Sequence, residues 1–466
     1  MLRLALVVVP LIAFAGCQKE NPAYCMDNPG KQGCPPDAPS GGPCMSNPDC
    51  TNTPGFPVCD AMDNGGTCVL CTANDHALCT GTTPVCDNHS CVACTRNDDC
   101  GTGGLCLPSG ACASSDNIIH AVSTAAGMDV PGCGNPGTEC KLERALTEVT
   151  ASKNVIKLDD AGPYTPDTNN FVVNVNVTID ARGAVLHHKA DNSPVLMINS
   201  DKSVTLFGGT IELAHGTNGD GIQCAANATL TVDTTTLQFN DESGIDASSC
   251  TLTVTNANIH DNSKAVGTTF FAGIEALKGT LTISRSKLVS NKGGGITVTN
   301  GTFVVVGNMF LSNGDPMANA GGVSFTNSPP GNRLEFNTFA NNKSTTGIAP
   351  GIQCLVAGFK AQNNIVWSNT GNNPTGVQVG GTCVQSYSDI GPPAIPSILG
   401  IDDGTNISSN PMLIDPTMDL HVKAGSPVQG KAHATPADLM GIASQDIEGH
   451  PRVVPADLGA YVVPAQ

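Results

Sequence analysis

The chain has 466 residues, room for two or three domains, and a formal net charge of −18. That charge argues against nucleic acid as a partner and against polyanionic substrates unless a cation bridges them. Only 13% of residues are charged and 4% aromatic, while glycine supplies 52; this excludes an acidic disordered tail and a helical protein, and suits a β-rich, turn-rich exported one.

The chain opens MLRLALVVVPLIAFAGCQKE, with one arginine ahead of an apolar stretch from Leu4 to Ala15. The stretch is too short to span a bilayer as a helix and has the form of a secretory h-region. It ends in FAGC, which resembles the bacterial lipobox with Phe14 where leucine is usual. The resemblance implies a lipoprotein signal peptide over 1–16 and lipidation of Cys17. Several acyl chains on one residue anchor stably where one is marginal. Gln18 is not the aspartate linked to inner-membrane retention, so the implied location is the bacterial outer membrane or cell surface. An ordinary signal peptide with a coincidental cysteine is the alternative. Residues 17–43 form a Pro/Gly/Asn-rich tether, in which Cys25 and Cys34 are expected to pair.

Setting Cys17 aside leaves 20 of the 21 cysteines, an even number in a chain expected to enter an oxidising compartment. Twelve form three tandem units over 44–112: Cys44, Cys50, Cys59, Cys68; then Cys71, Cys79, Cys86, Cys91; then Cys94, Cys100, Cys106, Cys112. Successive units join through C-x-x-C, and CMSNPDC, CTANDHALC and CTRNDDC open them. Such pairs also suit a tetrahedral zinc site, but export favours disulfides. Each unit admits three pairings, between which sequence does not choose. The array resembles the cysteine-rich repeats of bacterial surface lipoproteins. A stiff, loop-rich stalk is the favoured reading over a protein-binding module, because no aromatic cluster offers hot spots.

Residues 288–299 read LVSNKGGGITVT, which poses a choice between a phosphate-cradling loop and a corner of a repeat. A P-loop needs G-x-x-x-x-G-K-[ST], and here the lysine precedes the glycines. No helical pattern follows, so no nucleotide is expected. The repeat reading has more support. Gly-Ile or Gly-Val recurs at Gly221, Gly244, Gly273, Gly295, Gly322 and Gly351, and a turn asparagine at Asn240, Asn262, Asn291, Asn313, Asn342 and Asn369. From each glycine to the next asparagine the distance is 19, 18, 18, 18, 20 and 18 residues; from each asparagine to the following glycine, through Gly376, it is 4, 11, 4, 9, 9 and 7. One arc is nearly constant and the other absorbs the variation. A solenoid behaves this way, because stacked strands must keep register while a corner loop can bulge. Alternation turns Leu252 and Val254, Leu281 and Ile283, and Phe303 and Val305 inward. The asparagines are expected to stack amide on amide in left-handed turn conformation, with the glycines supplying unusual φ where the loop rejoins the strand.

The pattern resembles the right-handed parallel β-helix of the pectate-lyase-like superfamily, clearest over 205–385 with a lead-in near Asn154. The implied fold class is all-β: a β-helix over 113–400 behind the disulfide-rich stalk. Within it Cys224 with Cys250, and Cys354 with Cys383, fall about one coil apart and are candidate staples, and Cys133 with Cys140 closes a small loop. Residues 401–466 carry NP, SP, D-x-x-G-x-x-R and D-x-G-A elements, including Asp446, Gly449, Arg452, Asp457, Gly459 and Ala460. They resemble the closing segment of bacterial β-helix surface proteins, and are read as a cap on the open end of the solenoid.

The resemblance implies that a lyase would hold calcium with carboxylates on neighbouring coils and place a basic residue beside them. Aligned by the turn asparagines, Asp233 faces Thr255 and Ser284, and Asp241 and Glu242 face Ser263 and Lys264, so no acidic ladder is expected. Arg285 and Lys287 are the basic pair of the regular arcs. Asp159–Asp160 and Asp402–Asp403 lie outside the clear coils, and His187–His188 and His260–Asp261 read as surface polar residues. No metal or cofactor is expected. The variable loops remain, and loops along one edge are where solenoids bind. Phe270, Phe271 and Asp315 are the candidate binding residues. The favoured function is an outer-membrane surface lipoprotein whose β-helix is a binding or structural module for a glycan or surface protein. The alternative is a polysaccharide lyase, hydrolase or epimerase.

Overall fold

The computed structural model describes residues 44–463, apart from 52, 54, 62–65, 124–125, 189–191, 264–269, 346–347, 372–376 and 393–397. Cys17, Cys25, Cys34, Lys264 and Gly376 therefore lie outside the described residues. The chain divides into two compact units after Ser114.

The first unit contains three antiparallel hairpins: Val58–Asp60 with Thr67–Val69, Val85–Asp87 with Ser90–Val92, and Leu105–Cys106 with Cys112–Ala113. Each four-cysteine set pairs first with third and second with fourth: Cys44–Cys59 and Cys50–Cys68, Cys71–Cys86 and Cys79–Cys91, Cys94–Cys106 and Cys100–Cys112. These sulfurs are therefore not thiolates available to zinc. The repeated N-x-D-C text has a local cause. Asp49 accepts the N–H groups of Met45 and Ser46, and Asp99 those of Thr95 and Arg96. Asn47 and Asn97 accept the N–H of Cys59 and Cys106, which docks each turn on its hairpin. With few apolar residues per unit, such bonds and the disulfides replace a core.

The second unit is a parallel β-helix. Its long sheet has 20 strands and its second sheet nine, each strand pairing with its counterpart one coil away. The aliphatic ladder is continuous: Leu252 stacks on Leu281 and then Phe303, and Val254 on Ile283 and then Val305, all essentially buried. Helix α1 (Leu142–Glu148) packs Leu142, Ala145 and Leu146 into the first coils and covers the N-terminal end of the core. Disulfides join Cys133–Cys140, Cys224–Cys250 and Cys354–Cys383.

The turn asparagines form a buried ladder. Asn240, Asn262, Asn291, Asn313 and Asn342 each donate from Nδ2 to Oδ1 of the next, and Asn369 ends the run on Gln378. The left-handed residue is not the asparagine but the one before it: Phe239, Asp261, Ser290, Ser312, Asn341 and Ser368 have φ between 54° and 57°. The asparagine itself must point inward to reach both neighbours, so the preceding residue takes the sharp bend. A second ladder runs Ser286, Asn308, Asn337, Asn364 and Ser388 at the opposite corner.

The glycines lie in one column, for a different reason from positive φ, which none of Gly221, Gly244, Gly273, Gly295, Gly322 and Gly351 has. A Cβ on Gly295 would sit 2.5 Å from the carbonyl oxygen of Gly322 and 2.7 Å from Phe310 Cδ1, and Gly221, Gly244, Gly273 and Gly322 meet the next glycine in the same way. Coils pass too closely here for any side chain. Gly295→Ala is therefore expected to lower the unfolding free energy by about 1–3 kcal/mol, read as a drop in the thermal midpoint.

The C-terminal segment departs from the cap expected at the open end. Ile407 adds one rung beside Asp389, and Asn406 accepts the N–H of Ser388. From residue 410 the chain then turns back along the flank. Leu420, Val428, Leu458, Ala460 and Tyr461 pack on outward-facing Met309, Leu311, Ala340 and Ile365. Arg452 is buried over the Phe336 ring, 4.7 Å from its centroid, and donates to the carbonyls of Gly459 and Ala460. The later coils need this cover because both faces of Met309–Leu311 are apolar and Thr338–Ala340 is buried throughout, whereas Thr236–Gln238 and Asn258–His260 alternate.

Candidate functional site

Each coil re-enters the long sheet just after its column glycine. Position one after that glycine is inward, as in Ile222, Ile245, Ile274 and Ile296, so position two is outward. The outward register reads Gln223, Asp246, Glu275, Thr297, which puts two carboxyl groups on adjacent rungs. Asp220, directly before Gly221, and Glu242, in the corner below Gly244, join them. The absence of an acidic ladder is thus corrected. Asp246 and Glu275 each lie 16 residues before the asparagine that closes the arc, Asn262 and Asn291, so they are in register in the sequence as well.

Local bonds hold the group in place. Asp220 is buried and accepts the N–H of Ser243 at 2.9 Å, and Glu275 accepts that of Ala272 at 3.1 Å. The Glu242 backbone donates to Gly219 and accepts from Ser263. Burial and then the neighbouring Asp246, Glu242 and Glu275 charges push the Asp220 carboxyl up to about 8. Burial, with Asp246 and Glu242, pushes Glu275 up to about 7. Burial also raises Glu242 and Asp246. The four are close enough to resist ionising together.

Phe270 and Phe271 are half-buried at the same corner. The Phe271 N–H donates to Ser263 Oγ, its carbonyl accepts from Gly293, and the next residue, Ala272, is the one bonded to Glu275. The Phe270–Phe271 backbone and the four carboxyl-bearing residues thus belong to one edge. Asp315 is elsewhere: it closes its own turn by accepting from Met317 and Ala318, and is not among the charges acting on the group. Arg285 bonds Asn256 and Gln445, and so ties down the C-terminal segment. Asp159 pairs with His120 and Lys157, Asp160 accepts from Ser123, and Asp403 accepts from Ser386. His187 pairs with Glu212, and His260 with Asp261. No helix among the described residues is long and apolar enough to cross a membrane.

The fold belongs to a known class of solved structures. Pectate lyase Pel9A superposes with a TM-score of 0.51 at 14% identity, over 74% of this chain and 96% of that one. Jun a 1, the major allergen from cedar pollen, matches with a TM-score of 0.36 at 17% identity, over 67% of this chain and 81% of that one. The Agl-KA catalytic domain gives 0.37 at 12%, over 62% and 68%. The second unit thus shares the parallel β-helix fold of pectate lyase Pel9A. Residues 16–118 match the model of a family described as a family of unknown function, DUF8331. No curated protein matches the chain in sequence.

Proposed function

We propose that the protein is an exported surface lipoprotein, anchored to the outer membrane through Cys17, whose β-helix binds a saccharide at the acidic corner. One observation carries the binding reading: Asp220, Glu242, Asp246 and Glu275 converge beside Phe270 and Phe271. Neutral carboxyl groups donate hydrogen bonds to sugar hydroxyls and carboxylates accept from them, while a ring face covers the apolar face of a pyranose. The nine disulfides among the described residues support export, because such bonds persist in oxidising compartments.

A second reading, a polysaccharide-cleaving enzyme, draws on the raised carboxyls. Asp220 and Glu275 stay protonated close to neutrality beside other acids, the division of labour that glycosidic hydrolysis uses. The same oxygens on adjacent rungs are also of the type calcium takes.

The full chain screened against neutral and acidic polysaccharides, with and without calcium, tests both. The expected result is binding without turnover, weakened roughly tenfold by Phe271→Ala, about one stacking contact, and abolished by the double change Asp246→Asn and Glu275→Gln. Turnover lost in that double variant would instead establish the enzyme. A chain that neither binds nor cleaves any of them sinks both readings.

A further inference from the structure

A separate group of side chains gathers in the C-terminal segment. In DIEGHPR, the buried Asp446 folds a tight turn around itself. Its Oδ1 accepts the N–H groups of Glu448 at 2.9 Å and His450 at 2.8 Å, and its Oδ2 that of Val462 at 2.9 Å. The turn brings Asp446 Oδ2 to 3.2 Å from His450 Nδ1, and Glu448 Oε2 to 3.8 Å from the same nitrogen. One ligand atom from each of the three residues lies within 4.8 Å of the other two. The other Glu448 oxygen, Oε1, is 3.0 Å from His421 Nε2, and His421 Nδ1 is 2.5 Å from Asp419 Oδ1. The His421 ring also rests on Tyr461, centroids 4.0 Å apart.

We propose that Asp446, Glu448 and His450 form a site for a divalent cation of the zinc type, with His421 and Asp419 positioning Glu448. An imidazole beside two carboxylates suits a borderline d-block ion; calcium takes six to eight oxygens. Tetrahedral zinc with bonds of about 2.0–2.2 Å sets its ligand atoms about 3.3–3.6 Å apart. The separations of 3.2 and 3.8 Å bracket that edge, so small side-chain rotations admit the ion. The relay from Asp419 through His421 to Glu448 is the outer support such sites use: a carboxylate sets the imidazole, and the imidazole aims the ligand. The His450 and Glu448 side chains are 63% and 38% exposed, which leaves an entry path and an open position for water.

The test is calorimetric titration of the full chain, stripped with chelator in detergent, with zinc chloride near neutral pH. One site per chain in the micromolar range or tighter is expected. His450→Asn and Glu448→Gln should each weaken it about tenfold or more, and Asp419→Asn by a smaller factor. Cobalt loading should give a visible d–d band that His450→Asn removes and Asp419→Asn shifts; a purely structural role for Asp419 would leave the band unmoved. His187→Asn, at another histidine–carboxylate pair, should change nothing. Both His450 and Glu448 are exposed, so the metal-free variants should melt with the parent. Absence of a site tighter than about 100 μM, or a site that survives both His450→Asn and Glu448→Gln, overturns the proposal.

Discussion

Asn313→Ala is expected to lower the unfolding free energy by about 4 kcal/mol, since it removes four buried hydrogen bonds at about 1 kcal/mol each. The Asn313 amide donates to the Leu288 carbonyl at 2.8 Å and to Asn342 Oδ1 at 3.1 Å. Its oxygen accepts from the Asn291 backbone at 3.1 Å and the Asn291 side chain at 2.9 Å. Asn313 is fully buried, so water does not replace these partners. Asn313→Asp is expected to fail as well, because an ionised carboxylate cannot donate to Leu288 or Asn342. The loss should first appear as local opening of the neighbouring coils, because each repeat in a solenoid contacts only its neighbours. Denaturant melts, with hydrogen exchange at the Asn291 amide, measure both effects. A change under about 1 kcal/mol would mean that the ladder is ornamental.

The second large effect is on pH dependence. Asp220 has an ordinary value of 3.8 and a folded value of about 8. Between these values the folded chain keeps a proton that the unfolded chain releases. Stability contributed by the neutral form is present below the unfolded value and is lost as pH rises through the window, at up to about 1.4 kcal/mol per pH unit. Glu275, at about 7 when folded, acts in the same direction. Asp220→Asn keeps the acceptor for the Ser243 N–H and removes the charge. It should match the parent near pH 4 and exceed it near pH 8 by about 2 kcal/mol or more. Thermal melts across that range read the difference. A variant no more stable than the parent at the alkaline end would show that the acidic corner carries no such strain.

The acidic corner also shows where sequence reading stops. Asp246 and Glu275 stand in plain view two residues after their glycines and 16 before the asparagines that close their arcs. Glu242 instead sits in the variable stretch between asparagine and glycine, 4 residues long on its coil and 11 on the next, where no register carries over. Either marker places Asp246 and Glu275 on one face; the approach of Asp220 and Glu242 to them depends on the fold. Phe270 and Phe271 were legible because an aromatic pair is rare in this chain, while Asp315 had only its loop to recommend it. The flank cover had a signal too: alternation disappears in MFL, where a one-sided strand would carry polar residues.

By itself the sequence determined the solenoid, because a coil of fixed arc length is a local property, repeated in the text whenever stacked strands must keep register. It also determined which side chains face inward, since alternation in a strand needs no knowledge of the neighbours. Tertiary structure decided what depends on distance across coils: the pairing of first with third cysteine, the bend at the residue before each asparagine, the C-terminal segment folded along the flank, and the meeting of four carboxyl groups. Those outcomes are set by close approach between residues far apart in the chain, and a linear text records the residues without the separation.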